Sequence, residues 1–262
     1  MDWIEFPSLS RGTLRDIRVT IDGAVDTFLG AYGEAIEHAF DPLKDFLIWL
    51  EDLLISSPWP IVLAVLLSIV FLMSRNYKIV AGSLFSLILI GVFGMWEDTM
   101  RTIAMVTVCT MLAILLGIPL GILMSRSERV QGWINPILDL MQTMPSFVYL
   151  IPVVMIFGIG KVAGLIAIVV YAIPPTIRLT NLGIRLVDQD VLEAADAFGS
   201  SPWQKLVNVQ LPLALPTIMA GINQTIMLSL AMVVVASLIG AKGLGEDVLE
   251  DRKSTRLNSS HV

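Results

Sequence analysis

Apolar residues in this chain come in long blocks separated by short polar joints. Residues 59–74, 78–96, 99–124, 137–158, 161–178 and 213–240 are almost free of charge. A helix crosses a bilayer with about 20 apolar residues, so the pattern predicts six membrane spans, the first of them short, and an all-α polytopic protein. Several blocks contain breakers: Gly117-Ile118-Pro119-Leu120-Gly121 in the third, Pro145 and Pro152 in the fourth, Pro174-Pro175 in the fifth. Proline at membrane depth frees backbone groups that only protein or water can satisfy. These prolines either line a pathway or kink packed spans. Gly117 and Gly121 have the spacing of close helix packing, and Pro119 between them that of a kink; the sequence does not choose.

Ahead of the first block the pattern changes. Between Val25 and Leu54, apolar residues such as Ile36, Phe40, Leu43, Leu47 and Leu50 recur at helical spacing among acids. This predicts one or two amphipathic helices at the membrane surface, with Pro42 and Ser56-Ser57-Pro58 as breakers. Residues 1–57 hold eleven acidic residues against four basic ones (Arg11, Arg15, Arg18, Lys44), a balance that repels nucleic acid. The N-terminus lacks a basic start followed by an apolar core, so it is not read as a cleavable signal peptide.

Composition supports the membrane reading. Of 262 residues, 55% are hydrophobic and 15% charged, against about 25% charged in soluble domains. Mean hydropathy is +0.78. Cys109 is the single cysteine and His38 and His261 the only histidines. No intrachain disulfide can form, no metal-ligand set exists, both histidines read as surface residues, and no cofactor is predicted. Basic residues gather at 74–78 (Arg75, Lys78), 125–135 (Arg126, Arg129) and 178–211 (Arg178, Arg185, Lys205). Alternation of six spans puts these on one side, which the positive-inside rule makes cytoplasmic, with the N-terminus outside. Arg101 and Asp139 fall at span ends, where snorkelling is cheap, and Gln142, Asn223 and Gln224 are neutral. A self-powered transporter needs an ionisable group in mid-membrane to carry the coupling charge. None is evident, which points to energy supplied by a partner; a secondary transporter is the rival class.

The polar stretch between the fifth and sixth blocks carries the most information. Glu193-Ala194-Ala195-Asp196-Ala197-Phe198-Gly199 is followed, after nine residues, by Val209-Gln210-Leu211-Pro212. Asp188 to Phe198 reads as a short helix with Leu192, Ala195 and Phe198 on or near one face. Gly199 permits a sharp reversal. Ser201-Pro202 starts a second helix with proline at its favoured first position, and Leu211-Pro212 ends it and launches the last span. The expected product is a helix–turn–helix whose small residues let another protein approach closely.

This arrangement resembles the EAA loop of binding-protein-dependent ABC importer permeases: Glu-Ala-Ala, three residues, Gly, nine residues, an aliphatic residue, one residue, Leu-Pro. Every spacing fits, with Val209 where isoleucine is usual. The resemblance implies a type I ABC importer (MetI-like) transmembrane domain over 99–250 with its coupling loop at 188–211, preceded by accessory spans at 58–98 and the acidic external region 1–57. It implies that Glu193, Ala194, Ala195, Gly199, Leu211 and Pro212 couple the chain to a separate cytoplasmic ATPase. It also implies a second permease copy, a periplasmic or extracellular substrate-binding protein, and no catalysis by this chain. Met141–Leu150, Ala172–Arg178 and Ile239–Gly245 are similar to permeases of glycine betaine/proline betaine importers of the bacterial inner membrane. Osmoprotectants are therefore the implied cargo, with another small solute such as an amino acid as the alternative. In that family a final span follows; here Asp251 to Val262 is polar and aperiodic, and 251–262 is read as a non-native tail with the last span missing.

Weaker signals stay weak. Gly158-Ile159-Gly160-Lys161 reads as a turn, since the spacing and the Ser or Thr of a phosphate loop are missing. Met141, Met144 and Met155 read as packing. Phe147, Tyr149 and Tyr171 suit a quaternary ammonium by cation–π attraction, but the resemblance assigns tight recognition to the binding protein, so no substrate-binding residue is predicted.

Overall fold

A computed structural model describes residues 10–241 together with Gly243 and Leu244. The tail 251–262, Lys242 and Gly245, and the side chain of Ile36 lie outside the described residues. All described elements are helices, and the chain divides into two compact units, Met1–Leu43 and Lys44–Val262.

Helix α1 (Arg11–Ser56) forms the described part of the first unit, and its last turns belong to the second. The amphipathic pattern thus folds as one helix, and Pro42, expected to break it, lies inside it. Pro42 is exposed, so the carbonyl deprived of its N–H partner can find one in the surroundings. The His38 ring lies 2.9 Å from the Asp41 carboxylate at the surface.

In the second unit, Ser57-Pro58 does end α1, because the residue before a proline is pushed out of the helical region. α2 (Trp59–Ser74) leaves at 112° to the helix before it. Arg75 in the left-handed conformation (φ 48°) and Asn76, whose side chain caps the Lys78 N–H at 3.0 Å, turn the chain into α3 (Tyr77–Val92). Then follow α4 (Trp96–Arg126), α5 (Glu128–Thr143), α6 (Ser146–Phe157), α7 (Lys161–Ala172), α8 (Pro174–Arg185), α9 (Gln189–Ala197), α10 (Pro202–Lys205) and α11 (Leu211–Ala236).

Among the described residues, three helical runs are long and apolar enough to cross a membrane, Trp96–Arg126, Lys161–Arg185 and Pro202–Ile239, and two bent helix pairs, Phe40–Ser56 with Trp59–Ser74 and α5 with α6, are so when each is taken together. The apolar block at 137–158 is not one straight helix. Met144-Pro145 breaks it, and α5 and α6 meet at 103°. The expected loop at 125–135 also shrinks to Ser127, which caps α5 by accepting from the Val130 N–H. α5 is amphipathic: Val130, Ile134, Leu138 and Met141 pack on Ala113, Met124, Ile173 and Ile177. By contrast, Pro174-Pro175 does not divide the fifth block. The two prolines are buried at the first positions of α8, where an N–H is least needed, and the Thr225 hydroxyl supplies a hydrogen bond to the Ala172 carbonyl at 2.9 Å. Because that hydroxyl has one hydrogen, Thr176 must be the donor in the 2.7 Å contact between the two threonines.

α8 is packed between α4 and α11. The close-packing reading of Gly117 and Gly121 is the one realised. A Cβ on Gly117 would lie 2.9 Å from Thr176 Cγ2, and one on Gly121 would lie 2.6 Å from Thr180 Cβ and 2.8 Å from the Ile177 carbonyl oxygen. Pro119 leaves α4 unbroken and is exposed. Ion pairs hold charges within this unit. Arg101 pairs with Asp98 (2.8 Å) and Glu97 (3.5 Å) in the first turns of α4. Arg178 on α8 pairs with Asp139, which lies within α5 and not at the end of a span.

Candidate functional site

The segment from Asp188 to Pro212 forms a two-helix lever. Asp188 caps α9 by accepting from the Asp190 N–H at 3.0 Å. The helix stops at Gly199, whose φ of +76° places it in the left-handed region. The Ser200 N–H donates to the Ala195 carbonyl (3.1 Å) and the Gly199 N–H to that of Asp196 (2.9 Å). This is the Schellman pattern, which favours glycine at the reversing position. Ser201 then opens α10 with a reciprocal cap: its hydroxyl accepts from the Gln204 N–H, and the Gln204 side chain accepts from the Ser201 N–H. Lys205 crosses back to both oxygens of Asp196 at 2.5 and 2.6 Å. Two helices, a defined turn and an ion pair make a stiff unit.

The lever does not end at Leu211-Pro212. α10 passes through a wide turn, Leu206–Gln210, in which the Leu211 N–H reaches the Leu206 carbonyl five residues back, and continues into α11. Pro212 therefore falls in the first turn of α11, where its lack of an N–H is tolerated. Leu206 is buried with Ile184, Ala214 and Ile218, and Leu211 packs on the same cluster. The lever is thus rooted in the bundle.

The six residues singled out by the sequence separate into two sets. Glu193, Ala194, Gly199 and Pro212 are exposed, whereas Ala195 is buried and Leu211 half-buried. Of the residues expected on or near one face of α9, Ala195 is buried, Leu192 half-buried and Phe198 exposed. Phe198 caps α9 with its side chain 91% exposed, and Trp203, just across the turn, is 70% exposed. Sequence reasoning assigned neither a contact role. The available signal was an aromatic on each side of a Gly-Ser-Ser-Pro turn in an otherwise polar loop. Large exposed aromatics on a rigid turn are what partner interfaces use as anchors. Trp203→Ala is expected to weaken partner binding by about 2 kcal/mol, leaving thermal stability unchanged; titration of the partner against variant and parent measures this, and equal affinities would remove Trp203 from the contact.

Arg126 from α4 and Arg185 from α8 lie at the root of the lever. Arg126 Nη2 donates to the Pro202 carbonyl at 3.0 Å. Arg185 donates to Asn181 Oδ1 and to the Met124 carbonyl, each at 3.0 Å. At the opposite end of α7, Gly158 and Gly160 form the turn expected there, and Lys161 pairs with the buried Glu51 of α1. Tyr149 and Tyr171 stack edge-on with centroids 6.1 Å apart, and the Tyr149 hydroxyl donates to the Met141 carbonyl. Phe147 is exposed instead of joining them. The three aromatics form no common cage. Among the described residues no cluster of His, Cys, Asp or Glu could hold a metal ion.

Residues 113–260 match the family model described as binding-protein-dependent transport system inner membrane component. The glycine betaine/carnitine transport permease protein GbuB of Listeria monocytogenes (serotype 1/2a, strain 10403S) is 45% identical over 87% of this chain and 82% of its own length. The glycine betaine/proline betaine transport system permease protein ProW of Escherichia coli (strain K12) is 49% identical over 79% of this chain; the match spans 58% of that longer protein. Among solved structures, an inward-facing conformation of the MetNI methionine ABC transporter superposes with a TM-score of 0.52 at 25% identity, covering 59% of this chain and 76% of that one.

Proposed function

The chain belongs to the family of binding-protein-dependent transport system inner membrane components, and on that premise we propose that it carries glycine betaine or proline betaine-type osmoprotectants inward, driven by a separate ATPase docked on the α9–α10 lever. It is a multi-pass inner-membrane permease component and does no catalysis itself. The observation that carries the coupling part of this reading is the lever: a stiff, exposed two-helix projection rooted between α8 and α11, with Gly199 at its tip. The cargo is inferred from what the relatives carry. In the assembly proposed here, a second copy completes the pathway and a binding protein delivers solute from outside. The basic ends of α4 and α8 and the lever face the cytoplasm, and the acidic N-terminal region lies outside, consistent with the positive-inside rule. Glu193, Ala194, Ala195 and Gly199 form the docking element, and Leu211 and Pro212 complete the coupling loop, with Leu211 packed on the cluster at its root.

A rigid lever joined to two spans turns closure of an ATPase pair into rigid-body movement of those spans. Gly199 is the sensitive point. A Cβ there meets nothing within 4 Å, so a substitution acts through the backbone alone. The left-handed conformation costs a non-glycine residue about 1–2 kcal/mol, and β-branched valine tolerates it worst. Gly199→Val is expected to leave the bundle folded, to lose the ATPase on co-purification in detergent, and to lose ATP-dependent glycine betaine uptake in membrane vesicles. A Gly199→Val chain that keeps its ATPase and its uptake would remove the lever from the mechanism. Uptake by the parent that survives ATP depletion would favour a secondary transporter.

A further inference from the structure

Resting on the ATPase-coupling reading above, we propose that Arg126 and Arg185 are positioning residues that make α4 move with the lever. The lever has covalent connections to two spans: to α8 through Leu186–Asp188, and to α11 through the wide turn at Leu206–Gln210. It has none to α4, which ends at Arg126 and passes through Ser127 directly into α5. Yet α4 contributes one whole wall of the bundle, with Gly117 and Gly121 pressed against α8. Movement of the lever reaches α4 through non-covalent contacts, and the two arginines place them at its last turn.

Arg185 grips that turn from α8. The Met124 carbonyl is among the last of α4, where the helix supplies no donor of its own, and Arg185 Nη2 donates to it at 3.0 Å. The same guanidinium is fixed by Nε donating to Asn181 Oδ1, and Asn181 and Met124 are both buried. Arg126 grips the lever from α4, donating to the carbonyl of Pro202, the first residue of α10, at 3.0 Å. A cleft of about 230 Å³, lined by Ser125, Arg126, Ile184, Pro202, Lys205 and Gln210, opens between the end of α4 and the root of the lever. The path is then continuous. A push on α9 passes through the Asp196–Lys205 pair to α10, through Pro202 and Arg126 to α4, and through Met124 and Arg185 back to α8.

The test uses the full-length permease with its ATPase and binding protein in proteoliposomes, measuring glycine betaine delivered per ATP hydrolysed. In Arg126→Gln, hydrolysis stimulated by the loaded binding protein is expected to stay within about twofold of the parent. Solute per ATP is expected to fall roughly tenfold, the size of one lost charge-assisted hydrogen bond. Arg126→Lys, which keeps one donor, should recover part of the loss; Arg185→Gln should behave like Arg126→Gln. An unchanged ratio, or hydrolysis and uptake falling in parallel, would overturn the relay while leaving the docking role of the lever intact. A parent chain that fails to retain the ATPase would overturn both.

Discussion

Lys161→Ala should be clearly destabilising, lowering stability in detergent by about 1–3 kcal/mol, the cost of leaving a buried acceptor without its partner; the lysine side chain is itself 33% exposed, so water can reach part of the gap. Glu51 is 3% exposed, and Leu47, one helical turn earlier on the same face, is fully buried. One carboxylate oxygen accepts from the Lys161 ammonium, and the other is buried without a partner. Removing Lys161 leaves that carboxylate enclosed and unpaired. The pair itself adds little net stability, since desolvating the Glu51 carboxylate offsets much of the attraction. The double variant Glu51→Leu/Lys161→Leu should therefore be markedly more stable than Lys161→Ala alone. Thermal unfolding of the purified permease, followed by size-exclusion chromatography, compares them. If Lys161→Ala unfolds with the parent, or the double variant is the worse of the two, α1 is not fastened to α7 by this pair.

The second large effect is expected at Gly121. Its missing side chain lets α4 approach α8 to the point where a methyl group would overlap Thr180 Cβ at 2.6 Å and the Ile177 carbonyl at 2.8 Å. A carbonyl belongs to the helix backbone and cannot rotate away, so Gly121→Ala must push the helices apart. Overpacking of this kind costs about 1–3 kcal/mol, here with disruption along the whole α4–α8 contact. Gly132→Ala on α5 is the control. It too is a helical glycine, but a Cβ there meets nothing within 4 Å, and alanine should gain roughly 1 kcal/mol from helix propensity. The two substitutions should shift the melting temperature in opposite directions. A Gly121→Ala chain no less stable than Gly132→Ala would mean that the close approach is not required.

The lever was readable from sequence because its determinants are local. Glycine at a reversal, a Ser-Pro helix start and a polar stretch between apolar blocks each act within a few residues. For the same reason Gly199, Ser201 and Pro202 take the conformations their chemistry favours. Spacing placed Phe198 near one face of α9 with Ala195 but could not say that it would be exposed while Ala195 is buried, since burial depends on neighbours that the fold delivers. Leu211-Pro212 was read as an end because proline usually stops a helix, but in the first turn of the next helix it costs little.

Hydropathy fixed the class of the protein: too few charges to cover a soluble surface, apolar blocks of crossing length, and basic residues on alternate joints follow from composition and order alone. Tertiary structure decided what the breakers do. Met144-Pro145 bends the chain by 103° whereas Pro174-Pro175 does not interrupt its span. The two dipeptides differ in surroundings more than in chemistry, since a threonine 53 positions away serves the carbonyl at the second break. Tertiary structure likewise chose packing over kinking at Gly117 and Gly121, joined Glu51 to Lys161, and brought Arg126 to Pro202. Each of these is a contact between residues distant in sequence, and whether a polar or small residue is satisfied, strained or idle depends on which neighbour the fold delivers to it.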